Sequence, residues 1–552
     1  MRIFTCGTIG ILLTFLCLNL KGSNFQINLH ASATEVSTYS FMEFTMTLKK
    51  PVTENPFTDV LVKGVFTING NEITATGFCD SQDGTVFKIR YMPAVEGKVN
   101  YTITFTCSGK SDVFTGNFQA NKSGAKGIVR IDKDYPGHFV WEGTGEHYFW
   151  NGTTTYFLMG WEDDKKIEQI IDRLASMKVN RMRVAINGRA PGGQAWAEPN
   201  VQQCEEFKFY LTPWVAQRPA DLEDPGYDVT RFNVPYWQKI DRMLAHARSR
   251  DMIISLVFYV DGIRGGTDPF KLANCGNIDE QRFYSYAASR FSAFSNIMWD
   301  LANEYKFFRN DAWAEKMGPF LKKCDPYNHL MSVHGFPYFN FRTSPWADFA
   351  LYQCWDQAGG FDFMWLNKQV QQATGRMIPQ INEEYGYESH YPTWGNGVVP
   401  PGRSDDNRRR LAWGIYMSGG YQTNGERADF GTCAGKKTGG GWINGGGDST
   451  MVMFKGFEII SNIFHELEWW KMEPNLRIVN HGPLCLEEPG KQYLTYNTWG
   501  GLEIQLVEGT YNIKVYNAAT GKLYAETEFT GHVWKSTFDP SGDDWAVIFK
   551  RK

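Results

Sequence analysis

The 552-residue chain predicts a multidomain protein, with a central (β/α)8 TIM barrel flanked by an N-terminal Ig-like β-sandwich and a small C-terminal β-sandwich. Two observations carry this reading. The middle of the chain alternates β-like runs with helical periodicity, as a parallel sheet with crossover helices requires. Both flanks instead show short period-two runs broken by turn residues, as antiparallel sheets do. The length also exceeds what one hydrophobic core serves.

Residues 1–23, "MRIFTCGTIGILLTFLCLNLKGS", carry one early basic residue, Arg2, then an apolar run from Ile9 to Leu20, then small residues. This is the pattern of a signal peptide and is short for a membrane span. An exported protein is expected, periplasmic, cell-surface or secreted, with cleavage between Gly22 and Ala33. Cys17 follows Leu16, a poor neighbour for a lipidated cysteine, so a lipid anchor is disfavoured. No later apolar run is long enough to cross a membrane.

Residues 24–122 form the first sandwich, through runs such as "VLVKGVFTI", "TVFKIRYM" and "NYTITFT". Asn69-Gly70 and Asp83-Gly84 lie between such runs as hairpin signals. Cys79 and Cys107 fall in this segment, either as a bridge or as two core thiols. "NKSGAKG" at Asn121–Gly127 follows as a linker.

Residues 127–473 form the barrel. "TTTYFLMG" precedes a helix with Ile167, Ile170, Ile171, Leu174 and Met177 on one face, and "RMRVAI" follows. Further helix–strand pairs end in "MIISLVFY", "NIMWDLANE" and "HLMSVHG", and "DFALYQ", "MIPQINEE" and "GGYQTNGE" complete eight strands. Residues 474–552 return to β runs, including "QYLTYNT", "LEIQLVE" and "TYNIKVYN".

Composition narrows the function. A formal net charge of −4 without a basic tract argues against nucleic acid as partner. No HExxH motif and no Cys/His cluster supports a metal, and neither a phosphate-loop spacing nor a GxSxG elbow occurs. Aromatic residues reach 15%, with 19 Trp and 26 Tyr, and such rings suit surfaces that stack on the apolar faces of sugars.

Chemistry in such a barrel belongs at the carboxyl ends of the strands. Side chains alternate along a strand. In "MIPQINEEYGYE", this puts Gln380, Asn382 and Glu384 on the face toward the barrel mouth, and Glu383 outward toward the helical shell. "IMWDLANEY" ends in Asn303-Glu304 with Met298, Asp300, Ala302 and Glu304 on one face, and "TNGE" places Glu426 at the same level. Facing carboxyls are what glycosidic bond cleavage needs, one as acid and one as nucleophile or base. Nearby aromatics, including Trp161, Tyr385, Tyr387 and Trp442, would exclude water or stack on sugar.

"WDLANEY" followed by "INEEYGYE" resembles the retaining glycoside hydrolases of clan A. More narrowly, "NGTTTY", "VNRMRV", "RFSAFSNIMWDLANEY", "DPYNHLMSVHG", "IPQINEEYGYE" and "GGYQTNGE" resemble the apiosidase-like group. The front domain is similar to the β-sandwich that often precedes such barrels. The tail is similar to one that carries a collagen-binding label in these proteins. The resemblance implies Glu304 as acid/base and Glu384 as nucleophile, with Arg183, Asn303, His334 and Trp442 lining the sugar subsite and Glu388 and Glu426 binding hydroxyls or orienting other rim groups. The group often has His where this chain has Asn424, so apiose specificity is not implied.

The expected protein is an exported retaining glycoside hydrolase acting on a glycan, with carboxyl groups about 5–5.5 Å apart and no metal or organic cofactor. The rival is a non-catalytic carbohydrate- or matrix-binding surface protein on a barrel scaffold, which has no need of the Glu304/Glu384 pair. A peptidase lacks both a metal motif and a nucleophile elbow.

Overall fold

The computed structural model describes residues 24–189, 203–260, 268–388, 403–427, 441–447, 452–537 and 543–552. The expected leader lies outside these residues.

Residues up to 122 form one compact unit. A four-stranded and a five-stranded sheet enclose Phe44, Phe66, Tyr91, Phe105 and Phe118, all buried. The Asn69-Gly70 signal becomes a two-residue hairpin: both residues have positive φ, 49° and 80°, and Ile68 pairs with Asn71 across the turn. That mirror-image turn matches the right-handed twist of the strands it joins. Cys79 and Cys107 are both buried and do not form a disulfide.

The second compact unit begins at residue 123 and contains the barrel. Its parallel strands are β1 (Asn151–Thr154), β2 (Arg181–Ala185), β3 (Ile253–Val257), β4 (Ile297–Asp300), β5 (Met331–Ser332), β6 (Ala350–Gln353), β7 (Gln380–Glu384) and β8 (Tyr421–Gly425). The ladder runs β5-β4-β3-β2-β1-β8-β7-β6. Between β5 and β6 the near-closed barrel is stitched by the Asp348 N–H donating to the Met331 carbonyl at 2.8 Å and the Ser332 hydroxyl donating to the Phe349 carbonyl at 2.6 Å. Helices α1 (Asp164–Ser176), α2 (Val234–Arg248), α3 (Ile278–Phe291), α4 (Asp311–Cys324), α5 (Phe361–Gln372), α6 (Asp405–Met417) and α7 (Val452–Phe464) accompany the strands. Helix α1 shows why the periodicity was informative. Asp163 caps its first turn, and Ile167, Ile170, Ile171 and Leu174 are its buried face.

A six-stranded antiparallel sheet over residues 473–551 completes this unit. Its long hairpin breaks register between Gln505 and Gly509, and Leu502, Ile504 and Leu506 share a core with Tyr493 and Phe549. Helix α6 carries the junction with the barrel. Trp413 stacks on Tyr496 at 4.7 Å, and Arg409 and Arg410 both pair with the buried Asp544.

Candidate active site

The mouth of the barrel is built on a buried charge network. Arg181 and Arg183, two residues apart on β2, both face inward, where no water reaches them. Two buried cations on one strand demand buried anions. Glu383 answers both, 2.6 Å from Arg181 and 3.0 Å from Arg183, and Asp300 lies 3.3 Å from Arg183. The Thr423 hydroxyl of β8 donates to the other Glu383 oxygen at 2.8 Å. Burial pushes the Asp300 carboxyl up to about 6, with Arg183 opposing and Glu383 adding to the rise.

Glu383 therefore points into the barrel, not outward toward the helical shell as expected, because the inner face of β7 is the opposite one. Gln380 and Asn382 take the opposite face: Gln380 accepts from the Tyr352 hydroxyl at 2.6 Å, and Asn382 donates to the carbonyls of Cys354 and Gly359. The end of β7 carries a register shift, with Asn382 opposite Tyr352 but Glu384 opposite Gln353. One extra residue in a strand turns two successive side chains to one side. Glu383 and Glu384 thus both reach the interior, at different depths.

Glu384 sits above the charge network. The Tyr156 hydroxyl, just beyond β1, lies 3.3 Å from its Oε2, and Tyr387 is near enough to favour its ionised form. Its carboxyl is pushed well above the ordinary range, first by burial and then by the negative charge of Glu304 across the site; Arg183, Tyr387 and Tyr156 oppose that rise. Glu304 lies just beyond β4 with φ 48° and ψ 44°, in the left-handed region. Strand alternation does not extend through such a residue, and side chains held there concentrate at functional sites.

Asn303 links the two carboxylate-bearing ends. Its Oδ1 faces the Tyr156 hydroxyl at 2.9 Å, Arg183 Nη2 at 3.0 Å and His334 Nδ1. That crowd of donors fixes the amide orientation and turns Nδ2 the other way. His334 is held neutral: burial, with the charges of Arg183 and Arg181, pushes its imidazole far below the usual range. Because Nδ1 donates to Asn303, Nε2 carries the lone pair, and among the described residues it has no hydrogen-bond partner.

Trp442 follows β8 in a helical turn over Gly441–Asn444. Its ring stacks on Tyr387 at 4.6 Å and meets Tyr156 edge-on at 6.4 Å. Gly425 permits this approach, since a Cβ there would lie 2.2 Å from the Cβ of Trp442.

The structure thus gathers Glu304, Glu384, Arg183, Asn303, His334 and Trp442 in one cluster. Four other expected residues are placed differently. Trp161 is 1% exposed, packs on Phe207 and donates to the Asn444 carbonyl at 2.7 Å, so its face is closed to a ligand. The Tyr385 hydroxyl donates to Gln422 at 2.9 Å on the helix-facing side of β8, which removes its ring from the mouth. Glu426 is wholly buried in a two-oxygen pair with Arg173 of α1 and accepts from the Gly447 N–H, so it anchors a loop. Glu388 lies at the rim, 3.6 Å from Arg427.

Two tyrosines take the places assigned to Trp161 and Tyr385. Tyr156 was hidden in a run that reads as strand. Tyr387 was recognisable only as one aromatic among several near Glu384. The Arg181/Arg183 spacing was the signal that a buried counter-charge had to exist. Replacing Tyr156 with Phe is expected to lower activity about 10–100-fold, because a hydrogen bond to a charged group is worth about 1.5–3 kcal/mol. Steady-state kinetics beside a melting curve checks this.

The sequence profile described as "Apiosidase-like, catalytic domain" matches residues 136–425, and one described as a domain of unknown function, DUF5060, matches residues 35–106. No curated protein matches the sequence. Among solved structures, a candidate glycoside hydrolase from Bacteroides vulgatus ATCC 8482 is 17% identical with a TM-score of 0.71, covering 94% of this chain and 100% of its own. A glycoside hydrolase family 5 protein from the same strain is 16% identical with a TM-score of 0.58, covering 77% of this chain and 93% of its own. At these identities the likeness speaks for the fold, and the profile match, spanning more than half of the sequence and every strand of the barrel, speaks for descent. This chain belongs to the apiosidase-like catalytic-domain family.

Proposed function

We propose that the protein is an exported glycoside hydrolase that cleaves a poly- or oligosaccharide by a retaining, double-displacement mechanism. The observation that carries this reading is the pair of carboxylates, Glu384 and Glu304, on β7 and β4 ends of one barrel mouth and close enough for the charge of one to raise the other. Arg183, Tyr387 and Tyr156 each oppose the rise at Glu384 and so support the anion that a nucleophile needs.

In the first step a Glu384 oxygen attacks the anomeric carbon, the glycosidic C–O bond breaks, and Glu304 gives its proton to the departing oxygen. In the second, Glu304 takes a proton from water, the water oxygen bonds to the anomeric carbon, and the bond to Glu384 breaks. Asn303 Nδ2 and His334 Nε2 offer a donor and an acceptor to hydroxyls of the cleaved sugar, and Trp442 covers one face of its ring. Export is inferred from the leader alone.

The deciding experiment is product analysis on plant, algal and host glycans, with the anomeric configuration of the first product followed by NMR. Release of sugar with retained configuration is expected. An inverted first product sinks the double displacement. Because one carboxyl must be ionised and the other protonated, the pH profile is expected to be bell-shaped. Activity falls in acid as the pair takes up a second proton, and in alkali as it loses its last.

A further inference from the structure

Beyond β6 the chain passes through Cys354 and Trp355 into a short 3-10 turn over Asp356–Gly359. Asp356 has φ 56°, a left-handed conformation that Asp tolerates better than most residues and that its surroundings help to hold. Three groups do so. Its backbone N–H donates to the Tyr385 carbonyl at 3.1 Å, Arg403 grips both carboxylate oxygens at 3.0 Å, and Arg408 lies 3.3 Å from the first of them.

The same turn, through Arg403, sets the orientation of Trp355. The guanidinium of Arg403 lies over its ring at 4.7 Å, and Tyr387 meets it at 6.2 Å with an interplanar angle of 70°. Tyr387 is the ring that neighbours Glu384 and stacks on Trp442. Tyr156, Tyr387 and Trp442 are buried, whereas Trp355 remains half-exposed. A rigid, partly open indole at the mouth of a barrel, braced from below by this turn, is an arrangement for contact with a ligand.

Its place around the barrel indicates which part of a ligand. Trp442 follows β8 and Trp355 follows β6, so the two rings flank the β7 end from opposite sides. From β7, the arc through β6 and β5 leads to β4 and Glu304. We propose that Trp355 is a stacking platform for a neutral sugar ring on the leaving-group side of the scissile bond, positioned by the Arg403–Asp356–Arg408 clamp. This rests on the assignment of Glu304 as the acid, since the leaving oxygen departs toward the proton donor. The ring bound is neutral because the clamp's cations are already engaged by Asp356 and by the carbonyls of Tyr385 and Gly386.

The test compares wild type, Trp355→Ala and Trp355→Phe on an oligosaccharide that the wild type cleaves and on the glycosyl fluoride of the sugar released, with melting curves alongside. The fluoride has no leaving-side ring. For Trp355→Ala, kcat/KM on the oligosaccharide is expected to fall about tenfold further than on the fluoride, chiefly through KM, and Trp355→Phe to recover most of it. Equal losses on both substrates, or no loss on either, overturn the proposal. If the wild type cleaves nothing, the hydrolase reading fails by itself, and the platform is judged by calorimetric titration of wild type and Trp355→Ala with the panel's oligosaccharides. Weaker binding by the variant then supports it, and equal binding or none overturns it.

Discussion

Glu384→Gln is expected to lower kcat/KM by at least about 10⁴-fold on every substrate, glycosyl fluorides included, because no other group can form the glycosyl-enzyme. Glu304→Gln is expected to lose about 10²–10⁴-fold on a glycan, the usual worth of acid–base catalysis, and less on a fluoride, which leaves without a proton. The contrast between substrates separates nucleophile from acid. A Glu384→Gln enzyme that still turns over the fluoride at near wild-type rate sinks the nucleophile assignment. Stability should move the other way. A carboxyl raised in the folded state is stabilising only while it is protonated, and that contribution is lost as pH climbs above the ordinary glutamate range. The Gln variant should therefore melt higher than wild type at neutral pH, and the difference should close near about pH 4.

Glu383, one residue earlier, is expected to behave oppositely. Glu383→Ala leaves the charges of Arg181 and Arg183 without their shared anion inside the barrel, and stranding a buried charge costs about 3–5 kcal/mol. A markedly lower melting temperature and reduced soluble yield are the expected readouts. The Arg183 contacts to Tyr156 and Asn303 loosen with it, so activity falls as well. If Glu383→Ala melts within a degree or so of wild type, the network is not what holds the mouth together. Adjacent glutamates thus divide the work, Glu383 as the counter-charge of the scaffold and Glu384 as the candidate nucleophile.

Much of the architecture was legible in the chain. Eight alternating units predicted the barrel because a helix-period face such as Ile167, Ile170, Ile171 and Leu174 has only a sheet to cover it. Asn69-Gly70 predicted a hairpin because its φ values suit few other residue pairs. Glu304 and Glu384 stand out in the sequence as strand-end carboxylates, and in the fold the charge of Glu304 acts on Glu384.

The route to Glu384 was nevertheless wrong in its geometry. The expected inner face of β7 is its outer one: Gln380 and Asn382 face the helices, alternation turns Glu383 inward, and the register shift after Asn382 brings Glu384 inward as well. Composition made Trp161 and Tyr385 as eligible for the site as Trp442 and Tyr387. A sequence lists rings but does not say which of them a barrel turns toward its helices and which toward its mouth. Glu426 shares that fate, since only the fold brings Arg173 against it from α1. Local patterning therefore determined the elements, their order and the carboxylate-bearing strand ends, because these depend on neighbours a few residues apart. The bulge, the Arg181–Glu383–Arg183 network and the choice of Tyr156, Tyr387 and Trp355 at the mouth were decided by tertiary structure, because each rests on groups brought together from strands far apart in the chain.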